Sequence, residues 1–261
     1  MANIYSLHGK PEGKIDLPAV FKTEYRPDLI QRAVVSIQAS RRQPYGTDPY
    51  AGLRTSADYF GNRKHHYRMT INKGMSRLPR EKPGGGGLGR VKRVPNAVGG
   101  MSIHAPKLKD YTRKINNKEY KKALQSAIAA TANKEIVAQR GHKIEKAVEI
   151  PLIVDDSLES LKKTKEVVSA LKNLGLEDDL VRGAVKQINA GKGKSRGRRY
   201  DKRTSVLIVV GEDKGVKKAA ENIPGVNAVT VKELDVEMLA PGTHAGRLTV
   251  WAKSAIKHIT T

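Results

Sequence analysis

The chain has no cysteine, which excludes a disulfide framework, a thiolate metal site and a cysteine nucleophile. Aromatic residues make up only 5% of its 261 positions, too few for a surface built mainly on base stacking. No apolar run approaches the length of a membrane span, and no signal-peptide pattern opens the sequence. With cysteine also absent, an intracellular chain is expected. Acidic residues are scarce as well: 26 Asp and Glu stand against 49 Lys and Arg, a net charge of +23. That surplus points to nucleic acid, and less readily to an anionic membrane surface.

The excess charge is concentrated. Residues 41–114 hold 17 Lys and Arg against 4 Asp and Glu, so this stretch supplies +13 of the total. It also holds 6 of the 12 prolines and 11 of the 24 glycines. No apolar period of 2 or 3.6 runs through it, so neither a strand nor a helix is expected. A structureless segment this long inside a domain is normally functional. The flanks, 1–40 and 115–261, read as one discontinuous globular body, and 41–114 as an arm extending from it. Run out and back, about 35 residues each way at roughly 3.3 Å per residue reach on the order of 100 Å. The body itself is expected to be roughly 40 Å across.

Along the body, Asn3 to Leu7 and Lys14 to Leu17 are short strand candidates. Arg26 to Ser40 is helical, with Pro27 in its first turn and an apolar stripe through Leu29, Ile30, Ala33, Val34 and Ile37. Asn116 to Arg140 predicts a second helix, stopped by Gly141. Ile150 to Val154 is a buried strand candidate, followed by helix-capping chemistry at Asp155 to Ser157 and a helix over Leu158 to Leu174. Glu177 to Ile188 predicts another helix, and Ala190 to Arg203 a second basic, glycine-rich loop. Ser205 to Val210 (SVLIVV) has the continuous apolar character of a parallel-sheet strand. A helix near Lys214 to Glu221, strands near Ala228 to Val231 and Leu248 to Trp251, and a helix over Ala252 to Ile259 complete the chain. The alternation predicts an α/β fold: a mostly parallel sheet with flanking helices, plus one long extended basic loop inserted in the body.

Catalytic motifs fare poorly. Gly84, Gly86 and Gly89 fit G-x-G-x-x-G, but Pro83 precedes them and VKRVP follows, so the strand and helix that a nucleotide loop needs are missing. Val210 and Gly211 end a strand as a dinucleotide site begins, yet GEDKG lacks the glycine pattern, and a plain turn is the simpler reading. His65 and His66 are adjacent and do not face one metal as an i, i+4 pair does. Asp155 with Asp156 is better read as a helix cap than as a carboxylate pair. No Ser/His/Asp arrangement can be argued from the sequence.

The basic loops therefore carry the functional reading. Their charges are spread along a Gly/Pro framework, and arginine, whose planar fork pairs with phosphate, is prominent. In the outgoing part of the arm the nucleic-acid candidates are Arg41, Arg42, Arg54, Arg63, Lys64, His65, His66, Arg68, Lys73 and Arg77. Arg80, Lys82, Arg90, Lys92, Arg93, Lys107 and Arg113 continue the set. The second loop adds Lys192, Lys194, Arg196, Arg198 and Arg199. Irregular basic loops suit folded RNA, recognised by shape and phosphates, better than a DNA groove. A nucleotide-dependent α/β enzyme, suggested by the SVLIVVG strand, and an architectural DNA binder, suggested by charge, are the rival readings.

Several segments are diagnostic in order and spacing. They are Ser40 to Tyr45 (SRRQPY), Gly74 to Pro79 (GMSRLP), Gly84 to Arg90, Gly99 to Pro106 (GGMSIHAP), Gly141 to Glu145 (GHKIE), Ala190 to Arg199 (AGKGKSRGRR), Asn222 to Val226 (NIPGV) and Leu239 to Ile256. With them the chain resembles the family of the fourth protein of the large ribosomal subunit, in its archaeal/eukaryotic branch. The resemblance implies a non-enzymatic rRNA-binding protein that joins the large subunit early in assembly. Its body would lie on the outside of the subunit, and its loop would thread between rRNA domains to the wall of the nascent-peptide exit tunnel. Carried over, the tunnel tip is Arg77, Arg80, Lys82, Gly84, Gly85, Gly86, Gly87, Gly89 and Arg90. The implied partners are large-subunit rRNA, neighbouring ribosomal proteins including the other loop-bearing protein of the tunnel constriction, and the nascent polypeptide. No membrane, homo-oligomer or cofactor is implied, beyond magnesium ions of the rRNA nearby. Ile259 stands near the end of the sequence, so the contacts that eukaryotic members make through a long C-terminal extension are not expected here.

Overall fold

The computed structural model describes residues 2–59, 61, 69–147 and 149–259. The chain divides into two compact units, one of residues 1–40 and 113–261 and the other of residues 41–112.

The first unit is built on a six-stranded sheet. Its strands are β1 (Ala2–Tyr5), β2 (Pro11–Ile15), β3 (Leu152–Val154), β6 (Leu207–Val210), β7 (Asn227–Thr230) and β8 (Thr249–Ala252), in the order β2-β1-β3-β8-β6-β7. All neighbours are parallel except β2, which pairs antiparallel with β1 at the edge. The expected α/β architecture with a mostly parallel sheet is what forms. β3, β6 and β8 are buried along their whole length, as the continuous apolar runs LIV and LIVV require of strands covered on both faces. Truncating one of these side chains, such as Leu207 or Ile208, to Ala is expected to cost about 2–5 kcal/mol. Trp251 of β8 is fully buried and meets Phe21 edge-on, with ring centroids 5.4 Å apart.

The helices of this unit are α1 (Pro27–Arg41), α2 (Asn117–Ala132), α3 (Lys134–Gln139), α4 (Thr164–Asn173), α5 (Glu177–Ala184), α6 (Val216–Glu221), α7 (Val236–Leu239) and α8 (Lys253–Ile259). The small side chains of α2 allow close packing, with Ala123, Ala127 and Ala130 buried. From the same helix the Ser126 hydroxyl accepts the Arg26 amide at 2.7 Å, satisfying a backbone donor just ahead of α1.

Four sequence expectations need correction. The helix expected over 116–140 breaks at Asn133, which is extended (φ −93°, ψ 112°) and caps α3 by accepting the Glu135 amide at 2.9 Å. The helix expected over 158–174 starts later. Asp155 accepts the Ser157 amide at 3.3 Å and opens a 3-10 turn over Asp156–Ser160, then Leu161 is extended before α4 begins. The helix expected over 177–188 ends at Ala184, and Lys186–Ile188 becomes strand β4, antiparallel to β5 (Tyr200–Lys202). Finally, Pro11 and Gly13 lie inside β2 rather than ahead of it. An exposed edge strand tolerates both, because one side of its backbone needs no ladder partner.

Candidate nucleic-acid interface

The second unit, residues 41–112, contains neither an α-helix nor a strand among its described residues beyond Arg41, the last residue of α1, as its lack of apolar period predicts. Backbone bonds within the segment give it order instead. The outgoing and returning limbs meet where the Thr47 amide donates to the Pro106 carbonyl at 3.0 Å. Gly52 lies against Gly100 so closely that a Cβ there would stand 2.4 Å from the Gly100 oxygen, and its φ of +78° also favours glycine. Farther along, Asp58 and Arg80 exchange amide–carbonyl bonds at 3.1 Å, and Glu81 receives Gly89 and donates to Arg90, both at 3.0 Å. These bonds close a loop around the Gly84–Gly86 turn. Ala57, Met69, Thr70 and Ile71 are buried, a small interior for a segment of this length.

The candidate cations of the segment fall into two groups. Lys73, Arg77, Arg90 and Lys107 are exposed and enter no ion pair among the described residues. Arg54, Arg80, Lys82, Lys92 and Arg93 are used inside the segment. Arg54 pairs with Asp48 at 2.9 Å and Lys82 with Asp58 at 3.4 Å. The Arg80 guanidinium donates to Ser76 Oγ at 2.8 Å, which ties the two sides of a turn together. Lys92 donates to the Val98 carbonyl at 3.3 Å, and Arg93 to the Ala57 carbonyl at 3.5 Å. Tyr59's amide, together with Lys82, holds the Asp58 carboxyl below its ordinary range, so it stays an anion beside these cations. Arg63, Lys64, His65, His66 and Arg68 lie outside the described residues. Arg41 closes α1, and Arg113 belongs to the first unit, where its carbonyl accepts the Ser36 hydroxyl.

At the tip, added Cβ atoms on Gly84, Gly85 and Gly87 would meet nothing within 4 Å. Gly85 and Gly86 hold φ of 80° and 89°, so the turn needs glycine there for conformation. Gly89 is different: its Cβ would stand 3.0 Å from Glu81. Residues 84–87 thus present bare backbone, free of side-chain bulk.

Two residues escaped the sequence reading. Tyr45 and Tyr111 stack at 6.3 Å and 13°, with the Arg42 guanidinium 4.1 Å from the Tyr111 ring centroid and Lys109 Nζ at 5.2 Å. Tyr45 is 57% exposed, so the pair offers both a flat apolar face and cations. Their separation of 66 positions left no local signal.

The second loop is an exposed hairpin. β4 and β5 frame a 3-10 turn over Lys192–Arg196, entered through Gly191 and left through Gly197, both at φ 80°. Lys192, Lys194, Arg196, Arg198 and Arg199 are brought together on it, and the Arg199 guanidinium lies 5.7 Å from the Tyr200 ring.

The sheet edge where an α/β enzyme binds its nucleotide is already filled. Glu159 is buried, and its carboxylate accepts the Gly211 amide at 3.0 Å, the Glu212 amide at 3.4 Å and the Ser254 hydroxyl, while Lys214 pairs with it at 3.3 Å. Burial pushes its pKa up, but Ser254, the two amides and Lys214 outweigh that and hold it below the ordinary value. The donors after β6 that would cradle a phosphate thus hold a side chain of the chain itself. A Ser/His/Asp group does occur in the interior, but Asp179 stands between the other two. His142 Nδ1 donates to it at 3.1 Å and Ser205 Oγ at 2.6 Å, and Ser205 is fully buried, so nothing activates the hydroxyl toward a substrate. Among the described residues no group of three or more His, Cys, Asp or Glu could hold a metal ion.

Comparison with known proteins decides the family, through a match over residues 15–261. The chain belongs to the ribosomal protein L4/L1 family. Curated relatives agree with this family over nearly their full length. The large ribosomal subunit protein uL4 of Methanococcoides burtonii is 50% identical over 260 residues, 99% of this chain and 97% of the relative. Those of Methanosphaera stadtmanae and Archaeoglobus fulgidus are 47% and 48% identical over 98% and 99% of this chain, and 95% and 97% of their own lengths. These relatives are archaeal, in keeping with the branch that the sequence resembled. Membership in a structural, non-enzymatic family sets aside the nucleotide-dependent enzyme, in agreement with the filled sheet edge.

Proposed function

We propose that the chain is a structural constituent of the large subunit of the cytoplasmic ribosome, binding large-subunit rRNA early in assembly. In this reading residues 41–112 run between rRNA domains. Lys73, Arg77, Arg90 and Lys107 neutralise phosphates there, and Arg80, Lys82, Lys92 and Arg93 keep the segment in shape. The tip at Arg77 to Arg90 contributes to the wall of the nascent-peptide tunnel, where bare glycine backbone fits a narrow passage. The partners are rRNA, neighbouring ribosomal proteins with the other loop-bearing tunnel protein among them, and the passing polypeptide. Any magnesium ions belong to the rRNA.

The observation that carries the reading is the sorting of the arm's cations: one group holds the loop, and another is exposed on a segment that has almost no core. The names of the archaeal relatives support it. Ultraviolet crosslinking in cells, followed by sequencing of the recovered RNA, tests it. Crosslinks from arm peptides to several separated segments of large-subunit rRNA are expected. Crosslinks scattered over messenger RNA, or none above background, overturn it.

A further inference from the structure

One part of the first unit gathers three arginines, Arg247, Arg182 and Arg140, around the buried carboxylate of Asp179. Arg247 is 1% exposed, and every oxygen it binds is neutral. Nε donates to the Ser205 carbonyl at 2.8 Å, Nη1 to Met238 at 3.1 Å, and Nη2 to the Asn227 side chain at 2.6 Å. Arg182 pairs with Asp179 at 2.8 Å, and Asp179 already serves His142 and Ser205. Among the described residues the Arg140 side chain makes a single hydrogen bond, from Nη2 to the Pro241 carbonyl at 2.8 Å. Its Nη1 is buried and has no hydrogen-bond partner. Burial, with Arg182 nearby, lowers the Arg140 pKa to about 10, and among the described residues no carboxylate counters this. A partly buried guanidinium without an anion carries a desolvation cost, which is relieved when an anion arrives.

Arg140 lines an open cleft of about 860 Å³. Arg182, Lys202 and Arg203 share its walls, against one carboxylate, Asp201. The volume exceeds what a bare ion needs and admits a nucleotide unit. The cleft also adjoins the end of β5, so it is continuous with the basic hairpin that carries Lys192 to Arg199.

From this geometry we infer that the cleft is an RNA-phosphate site on the body, with Arg140 contacting the phosphate and Lys202 and Arg203 supplying the surrounding charge. A strand passing along the hairpin enters it. The inference takes the identity of the RNA from the proposed function, but its location is independent of the arm.

The test uses the full-length protein and large-subunit rRNA, with affinity measured across a salt series. Arg140→Gln and Arg203→Gln are each expected to weaken binding severalfold and to flatten the log–log salt slope by about one phosphate contact, roughly 0.7 to 0.9. Arg203 has an exposed side chain, so Arg203→Gln keeps its thermal unfolding and remains informative if Arg140→Gln destabilises the fold. Arg140→Lys, which keeps the charge, is expected to retain most of the slope. An unchanged slope in both Gln variants, while arm variants still flatten theirs, overturns the cleft and leaves the arm reading intact. Inorganic phosphate and AMP are titrated in parallel. Saturable micromolar binding of either that is lost in Arg140→Gln, with rRNA affinity unchanged, reassigns the cleft to a free phosphate ligand and also overturns the inference.

Discussion

Replacing Lys73, Arg77, Arg90 and Lys107 together by Gln is the perturbation that best isolates the arm's electrostatics. All four side chains are exposed and enter no ion pair among the described residues, so their loss leaves the loop's own bonds in place. If each neutralises one phosphate, the log–log salt slope of rRNA binding falls by about 3, taking roughly 0.7 to 0.9 per contact. Between 50 and 200 mM salt, a fourfold change, wild-type affinity should then drop about 60-fold more than that of the variant. Filter binding with large-subunit rRNA at four salt concentrations measures this. Hydrogen exchange at the Asp58, Arg80 and Gly89 amides, which make the loop's cross-connections, checks that the arm keeps its shape. A slope unchanged within 0.5, with those amides as protected as in wild type, refutes the assignment of these side chains to phosphate.

Other expected outcomes concern the framework. Gly52→Ala places a methyl group into the Gly100 carbonyl at a φ of +78°, so the limbs should separate and the Thr47 amide should exchange faster; Gly84→Ala, in open space, should leave it unchanged. Asp179→Asn should cost about 3–5 kcal/mol in urea unfolding at pH 7, because Arg182 loses a buried partner. Burial raises the Asp179 pKa, but the bonds from His142, Arg182 and Ser205 prevail and hold it well below the ordinary carboxylate range. Its contribution is therefore complete above about pH 4 and lost as pH falls further, and the variant's stability should flatten in that acid range. Burial also lowers the His142 pKa, so stability that His142 provides above about pH 6.5 erodes below it, in the same direction. Glu159→Gln should lower stability by about 1–3 kcal/mol in the same assay, since it weakens the acceptor shared by Gly211, Glu212 and Ser254.

The strands were legible where burial on both faces leaves an unbroken apolar run, as in Leu207 to Val210. Helix boundaries were less so. Val185 and Ile188 continue the helical spacing of α5, yet they extend because β5, a dozen residues on, offers backbone partners. Asn133 looked like an ordinary position in an alanine-rich helix; only its cap on Glu135 marks the break. Arg247 is fully buried. It is core because carbonyls at three chain turns converge on it, a fact of tertiary structure with no local sequence trace. The candidate interface was visible as charge, but charge alone could not separate Arg80, which straps a turn, from Arg77, which is exposed.

The pairing of Thr47 with Pro106 and of Gly52 with Gly100 works like the teeth of a zip. A residue added to one limb beside these points shifts every later tooth out of register. Added within residues 84–87, inside the last cross-bond between Glu81 and Gly89, it alters only how far the slider reaches. Changes of length in this protein should therefore be absorbed at the tip, so reach can vary while the closure near the root stays as it is.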